Sequence, residues 1–364
     1  MKTSYSQAIN KALTEEMKRN KNLVCFGLGI NDSLNFFGTT KGLEKKFGSE
    51  RVFETPTSEN AMTGIGIGMS LNNYPCVMMH QRLDFFLLAM DQLVNSAAKW
   101  HFMFGGKKNV PITIRLVVGK GWGQGPTHSQ SLQSWFAHIP GLKVVMPAFP
   151  KDAYNLLKKS IRDPNPVIFI EHRWLHNVEQ ETLKIKETKN LPSPELVAKG
   201  KDFTAVTYSL STIEMLALKK FLNSNNIYFD LIDLKSIKPL DISLIEKSIK
   251  KTKKLLVLDS ISHPICSVGS EILSQLYRNK NIKLNKIPIL LTLPDIPTPT
   301  STFYTKEFYI KKSDIINKIS ELIGKKIKLN FPKDTAHDVP DGSSVCTACH
   351  NIHAGHLSGG ARGL

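Results

Sequence analysis

Short apolar runs bounded by turn residues alternate with amphipathic stretches along most of this chain, and that alternation leaves few folds open. "NLVCFGLGI" (22–30), "PCVMM" (75–79), "VPITIRLVV" (110–118), "LKVVMPA" (142–148) and "PVIFIEH" (166–172) read as buried strands. Ile9, Leu13 and Met17 recur every fourth residue near the start and form a helix face; helical patterns also cover Ala61–Leu71, Phe85–Trp100 and Lys151–Arg162. Strand and helix in turn predict an α/β layer built on a mainly parallel sheet.

The rhythm breaks at "NVEQETLKIKETKNLPSPELVAKGKD", a polar, Lys-, Glu- and Pro-rich run that reads as a linker. Beyond it, "FTAVTYS", "IYFDLIDL", "KLLVLDS" and "IPILLTL" are strand candidates, with helical patterns at Ile213–Leu222, Asp241–Lys250 and Gly269–Tyr277. The 364 residues divide into a first α/β domain (1–177), a linker (178–202), a second α/β domain (203–330) and a polar Cys/His tail (331–364).

The formal charge of +17 comes mostly from Lys spread through runs such as "KKSIKKTKKLL". Without an Arg-rich face interleaved with aromatics, this reads as a solvated basic surface rather than a nucleic-acid site; phosphorylated ligands or an acidic partner stay compatible with it. There is no signal-peptide pattern and no apolar run of about 18 residues, so the expectation is a cytoplasmic protein without a membrane span. Cys25, Cys76 and Cys266 lie far apart and are expected to be buried reduced thiols.

Within "VFETPTSENAMTGIGIGMSL" (52–71), Thr57 or Ser58 is placed to cap a helix, Glu59 falls in its first turn, and Gly64, Gly66 and Gly68 permit close packing. Helix-dipole complementarity alone would explain an acid there. The glycines form GxGxG inside the helix rather than a dinucleotide-binding turn, and the chain has no P-loop.

"LDFFLLAMDQLVNSAAKW", "GWGQGPTHSQSLQSWFAHIPGLKVVMPAFPKDAYNLLKKSIRDPNPVIFIEHR" and "DLIDLKSIKPLD" follow in this order, with "SVGSEI" and "DIPTPTS" later. On these segments the chain resembles the beta subunit of the thiamine-diphosphate-dependent 2-oxo acid dehydrogenases, pyruvate dehydrogenase type, over about residues 3 to 327. The resemblance implies a pyrimidine-binding domain with a parallel sheet, then a transketolase C-terminal domain. It implies that Glu59 hydrogen-bonds the aminopyrimidine of thiamine diphosphate, that Phe85 stacks on that ring, and that His128 handles a proton or orients the acyl group. The core and helix-start readings of Phe85 and Glu59 remain as alternatives. Ile112, Ser160, Ile161, Asp163 and Asn165 match a structural monovalent-cation site, usually potassium, although "SIRDPNP" reads equally as a helix stop before Pro164.

The Gly-Asp-Gly and downstream Asn that would hold magnesium on the diphosphate are absent from the sequence, so the resemblance implies an alpha-type subunit carrying Mg2+ in an α2β2 heterotetramer. It also implies a small 2-oxo acid substrate and a lipoyl acyltransferase as acceptor. Leu28 replaces an acid of the family, and Arg82, Asp84 and Leu88 stand where the family carries Thr, Asn and Gln. Arg82 either pairs with Asp84 or reads an anionic substrate or partner. Two other readings stand beside this one: half of a split transketolase, and a non-catalytic assembly paralogue. The tail motif "CTACH" (346–350) has the form of a haem-attachment or zinc motif, or belongs to an unrelated appended segment.

Overall fold

The computed structural model describes residues 2–31, 35–181 and 194–327. The first domain contains β1 (Lys2–Ser4), α1 (Tyr5–Arg19), β2 (Val24–Gly27), α2 (Leu43–Phe47), β3 (Val52–Glu54), α3 (Glu59–Leu71), β4 (Cys76–His80) and α4 (Leu83–Phe86). It continues through α5 (Ala98–Met103), β5 (Ile112–Val118), α6 (Gln133–His138), β6 (Lys143–Val145), α7 (Pro150–Arg162), β7 (Val167–His172) and β8 (Glu179–Glu181). The second holds β9 (Glu195–Ala198), β10 (Phe203–Thr207), α8 (Leu210–Ser224), β11 (Phe229–Asp233), β12 (Ser236–Lys238), α9 (Ser243–Thr252), β13 (Leu255–Asp259), α10 (Val268–Arg278), β14 (Ile289–Thr292), α11 (Thr302–Phe308) and α12 (Lys312–Ile323).

β6, β7, β5, β4, β2 and β3 are hydrogen-bonded in that order and all run parallel. Their side chains feed an apolar core on either face, which is why these strands read as continuous apolar runs instead of alternating ones. β12, which belongs to the second domain by sequence, adds antiparallel to β6 at the edge of this sheet. The second sheet has the order β14-β13-β10-β11-β9, parallel except for β9. β1 and β8 form a separate antiparallel pair.

α1 starts in a capping box: Gln7 N donates to Ser4 Oγ at 3.2 Å and Ser4 N to Gln7 Oε1 at 2.9 Å. Its apolar stripe packs on α7, and the buried Glu16 accepts from Arg162 Nη2 at 2.6 Å across that contact. Behind the sheet, Arg115 Nε on β5 donates to Glu171 Oε1 on β7 at 2.6 Å, and His176 shares Glu171 at 3.0 Å, all fully enclosed.

Three expectations change. The Phe85–Trp100 pattern is no single helix: after α4 come a 3-10 turn at Leu87–Ala89 and a π turn at Gln92–Ala97, and only then α5. The run read as linker (178–202) shortens at both ends, since Glu179–Glu181 pairs with β1, Glu195–Ala198 pairs with β11 and Glu195 meets Lys151 at 2.8 Å; residues 182–193 and the tail lie outside the described residues. Cys25 and Cys76 are buried, and burial pushes both thiols up to about 12, but Cys266 is exposed in a left-handed turn before α10. Among the described residues, no helix is long and apolar enough to cross a membrane.

The domains interlock beyond β12. Lys235 Nζ donates to Asp152 Oδ1 of α7 at 2.8 Å, and Lys238 Nζ to the carbonyls of Ala137 and Ile139, each at 2.7 Å.

His80, at the end of β4, is enclosed with neither ring nitrogen hydrogen-bonded, and burial lowers its pKa from 6.5 to about 3. The unfolded chain therefore takes up a proton below about pH 6.5 that the folded chain refuses, so stability falls as pH drops from there toward 3. At pH 5 this costs about 2 kcal/mol. Unfolding free energies from urea titrations at pH 7.5 and pH 5 should differ less in His80→Leu than in the wild type, by about 2 kcal/mol.

Candidate active site

The turns that leave the carboxyl ends of β3, β4 and β5 come out at one edge of the sheet, the usual place for ligands in open parallel sheets. The first leads to Glu59 at the start of α3, the second to Phe85 in α4, and the third to the loop that carries His128. The structure thus brings the three sequence-predicted residues to a common edge.

Glu59 is 5% exposed. Ser58 stands at the cap position of α3 but its side chain makes no capping bond, and the Glu59 carbonyl accepts from Thr63 Oγ1 at 2.8 Å. Of the three helix glycines only Gly66 is tightly packed: a Cβ there would lie 2.9 Å from Ile112 Cδ1 and 3.0 Å from Phe26 Cζ. That close approach seats α3 on the sheet. Upstream, Gly27 (φ 144°) passes so near β4 that a Cβ would meet the Met79 carbonyl at 2.2 Å. Glu54 Oε1 accepts from Gly29 N at 2.6 Å and its Oε2 from Asn31 N at 3.1 Å, tying β3 to the turn after β2.

Phe85 and His128 are both partly exposed, with ring centroids 5.4 Å apart and planes at 86°. Thr127 Oγ1 lies 2.9 Å from His128 Nδ1. α4 grips the His128 loop on both sides of the histidine. Arg82 stacks on Trp122 with its guanidinium 4.4 Å from the ring centre and donates through Nη1 to the His128 carbonyl at 3.5 Å. Trp122 Nε1 in turn donates to Ser129 Oγ at 2.8 Å. Asp84 Oδ1 accepts from Gln130 N at 3.2 Å and Gln130 Nε2 at 2.9 Å. Burial raises the pKa of Asp84, against the opposing pull of the Gln130 bonds and the Arg82 charge. Leu88 is 70% exposed beside this group.

The candidate cation residues fall elsewhere. Ile112 opens β5, Ser160 and Ile161 end α7, and Asp163 and Asn165 follow before β7, so they collect at the opposite edge of the sheet. Asp163 is held by Lys143 Nζ at 2.5 Å and by Asn165 N at 2.9 Å. Asn165 Oδ1 is buried with no hydrogen-bond partner.

The family model "Transketolase, pyrimidine binding domain" matches residues 1–178, and "Transketolase, C-terminal domain" matches residues 194–315. The chain is 33% identical to the pyruvate dehydrogenase E1 component subunit beta of Porphyra purpurea, across 87% of this chain and 95% of that protein. The chain belongs to this E1 beta-subunit family. Another relative, the acetoin:2,6-dichlorophenolindophenol oxidoreductase subunit beta of Cupriavidus necator, is 34% identical over 82% of this chain and 91% of its own length. Among solved structures, "Split gene transketolase, inactive beta4 tetramer" superposes with a TM-score of 0.73 at 19% identity, covering 89% of this chain and 99% of that one. This last likeness concerns fold alone.

The fold inferred from the resemblance is therefore that of the E1 beta family. Sequence reasoning offered Arg82 either a pairing with Asp84 or an anionic substrate or partner, and missed the contacts of both with the His128 loop. The signal was faint: Trp122 and Gln130 sit in "GWGQGPTHSQS", but nothing local says that α4 reaches them. If the Asp84 carboxylate fastens this loop, Asp84→Ala should destabilise the chain by about 1.5–3 kcal/mol in urea denaturation, and Asp84→Asn, which keeps an acceptor, by less.

Proposed function

We propose that this chain is the beta-type subunit of a thiamine-diphosphate-dependent 2-oxo acid dehydrogenase, supplying the aminopyrimidine half of a site completed by an alpha-type partner. The observation that carries the reading is the buried carboxyl of Glu59 at the strand edge that also presents Phe85 and His128. A buried acid on an uncapped helix start suits a ring nitrogen, and a partly exposed aromatic face suits a planar heterocycle. When bound, the cofactor supplies the nucleophilic carbon and the electron sink for decarboxylation. Glu59 holds and delivers a proton at the ring nitrogen. Phe85 orients the ring, and His128 moves a proton to or from the substrate-derived group during decarboxylation or transfer to a lipoyl acceptor.

Partner dependence has its own support. Phe102, 87% exposed, and Met103 on α5, with Leu88 beside α4 and Ile65 on α3, put apolar side chains in solvent on the elements around Glu59 and Phe85. An α2β2 assembly would cover them and bring the magnesium and diphosphate ligands that this sequence lacks. At the other edge, the orphan Oδ1 of Asn165 and the carbonyl end of α7 suit a monovalent cation such as potassium, although Lys143 already balances Asp163. Shared sequence favours the dehydrogenase reading over the split transketolase, which shares fold alone.

In the complex with an alpha-type partner, Glu59→Gln should slow hydrogen exchange at C2 of the bound cofactor by roughly 10² to 10⁴, whereas His128→Ala should spare that exchange and slow a later step. Equal effects of the two variants, or none from either, would sink the assignment. The chain alone should bind thiamine diphosphate weakly in calorimetry, and tight magnesium-dependent binding without a partner would rule out the divided site.

A further inference from the structure

The loop that carries His128 begins "GKGWGQG", and Gly121, Gly123 and Gly125 have φ of 69°, 67° and 73°. Backbone of this kind has little stiffness of its own, so its position depends on what grips it. Arg82 and Asp84, at the start of α4, touch it at Trp122, at the His128 carbonyl and at Gln130. The root is gripped from the other domain: Lys120 Nζ forms an ion pair with Glu214 Oε1 of α8, and the two side chains are 13% and 7% exposed. The second carboxylate oxygen of Glu214 accepts from Ser260 Oγ at 2.5 Å, and Ser260 Oγ lies 2.8 Å from Ser211 Oγ, so the acid is itself braced by β13–α8 contacts. On its other side the Lys120 carbonyl accepts from Trp174 Nε1 at 2.8 Å, and the ammonium stands 5.8 Å from the ring centre of Tyr309. Farther along, a Cβ on Gly125 would lie 2.4 Å from Thr300 Oγ1, so the second domain also crowds the loop near His128.

We propose that Lys120 and Glu214 are positioning residues: an ion pair across the domain boundary that fixes the root of the loop, through which the second domain sets where His128 stands. An enclosed pair of this kind is costly to break on one side, which suits it to hold a glycine-rich segment in one place. The proposal rests on the reading of His128 as a proton-handling group.

The test uses the full chain, alone for amide hydrogen exchange and with an alpha-type partner for kinetics. Lys120→Met and Glu214→Gln should each speed exchange at residues 121–130 by about tenfold or more. Each should also slow the His128-dependent step by about 10- to 100-fold. KM for the 2-oxo acid should stay within about twofold, and C2 exchange, assigned to Glu59, should not change. Lys120→Arg, which keeps the pair, should behave as wild type. The double variant Lys120→Met/Glu214→Gln leaves no buried charge uncompensated and covers the case in which a single variant fails to fold; it should show the same loosened loop. Wild-type exchange rates in the loop of the folded variants, or a defect in Lys120→Arg equal to that of Lys120→Met, would overturn the proposal. If the loop loosens but His128→Ala and these variants leave every kinetic step intact, the strut stands and the role of His128 falls.

Discussion

Because β3, β2, β4 and β5 are parallel neighbours, each delivers its following turn to the same edge, and the placement of Glu59, Phe85 and His128 follows from that common direction. No single turn makes a site. Glu59, Phe85 and His128 are separated by tens of residues in sequence and come to one edge of the sheet because the strands preceding them are parallel and in register, with Phe85 and His128 in ring contact. Two constraints hold the register: apolar burial on both faces and the enclosed Arg115–Glu171 bridge between β5 and β7. The glycines add what side chains cannot, since Gly27 lets β2 close on β4 and Gly66 lets α3 lie against the sheet.

The candidate site is assembled in tiers. The helix start bearing Glu59 is seated by packing, and needs no cap. The loop bearing His128 is seated by polar contacts from outside: Arg82 and Asp84 in its own domain, Lys120 to Glu214 across to the other. Arg82 and Asp84, the positions where the sequence is expected to depart from the family, touch the loop's backbone and its tryptophan.

Much of this was legible in the sequence. Buried parallel strands and amphipathic helices such as α1 and α7 declare themselves by period, and the order of motifs pointed to the family. What stayed hidden depends on partners distant in sequence. β12 is three residues long and Lys-bounded, and becomes a strand only because β6 offers an edge. The π turn at Gln92–Ala97 keeps a helical apolar pattern, so periodicity could not reveal the interruption. Lys120 and Glu214 are 94 residues apart, and each alone is an ordinary charged residue. Cys266 looked apolar by its neighbours, yet a left-handed turn puts it in solvent.

The strand that β12 lends to the first sheet has a consequence for how this polypeptide could be divided. A gene cut in the polar run between the domains would release a first half whose β6 shows a bare row of amides and carbonyls, ready to recruit any extended chain. It would also strand Asp152 beside the vacated place of Lys235. Sequence composition marks one seam and hydrogen bonding another, so a severed first half would be sticky rather than merely incomplete.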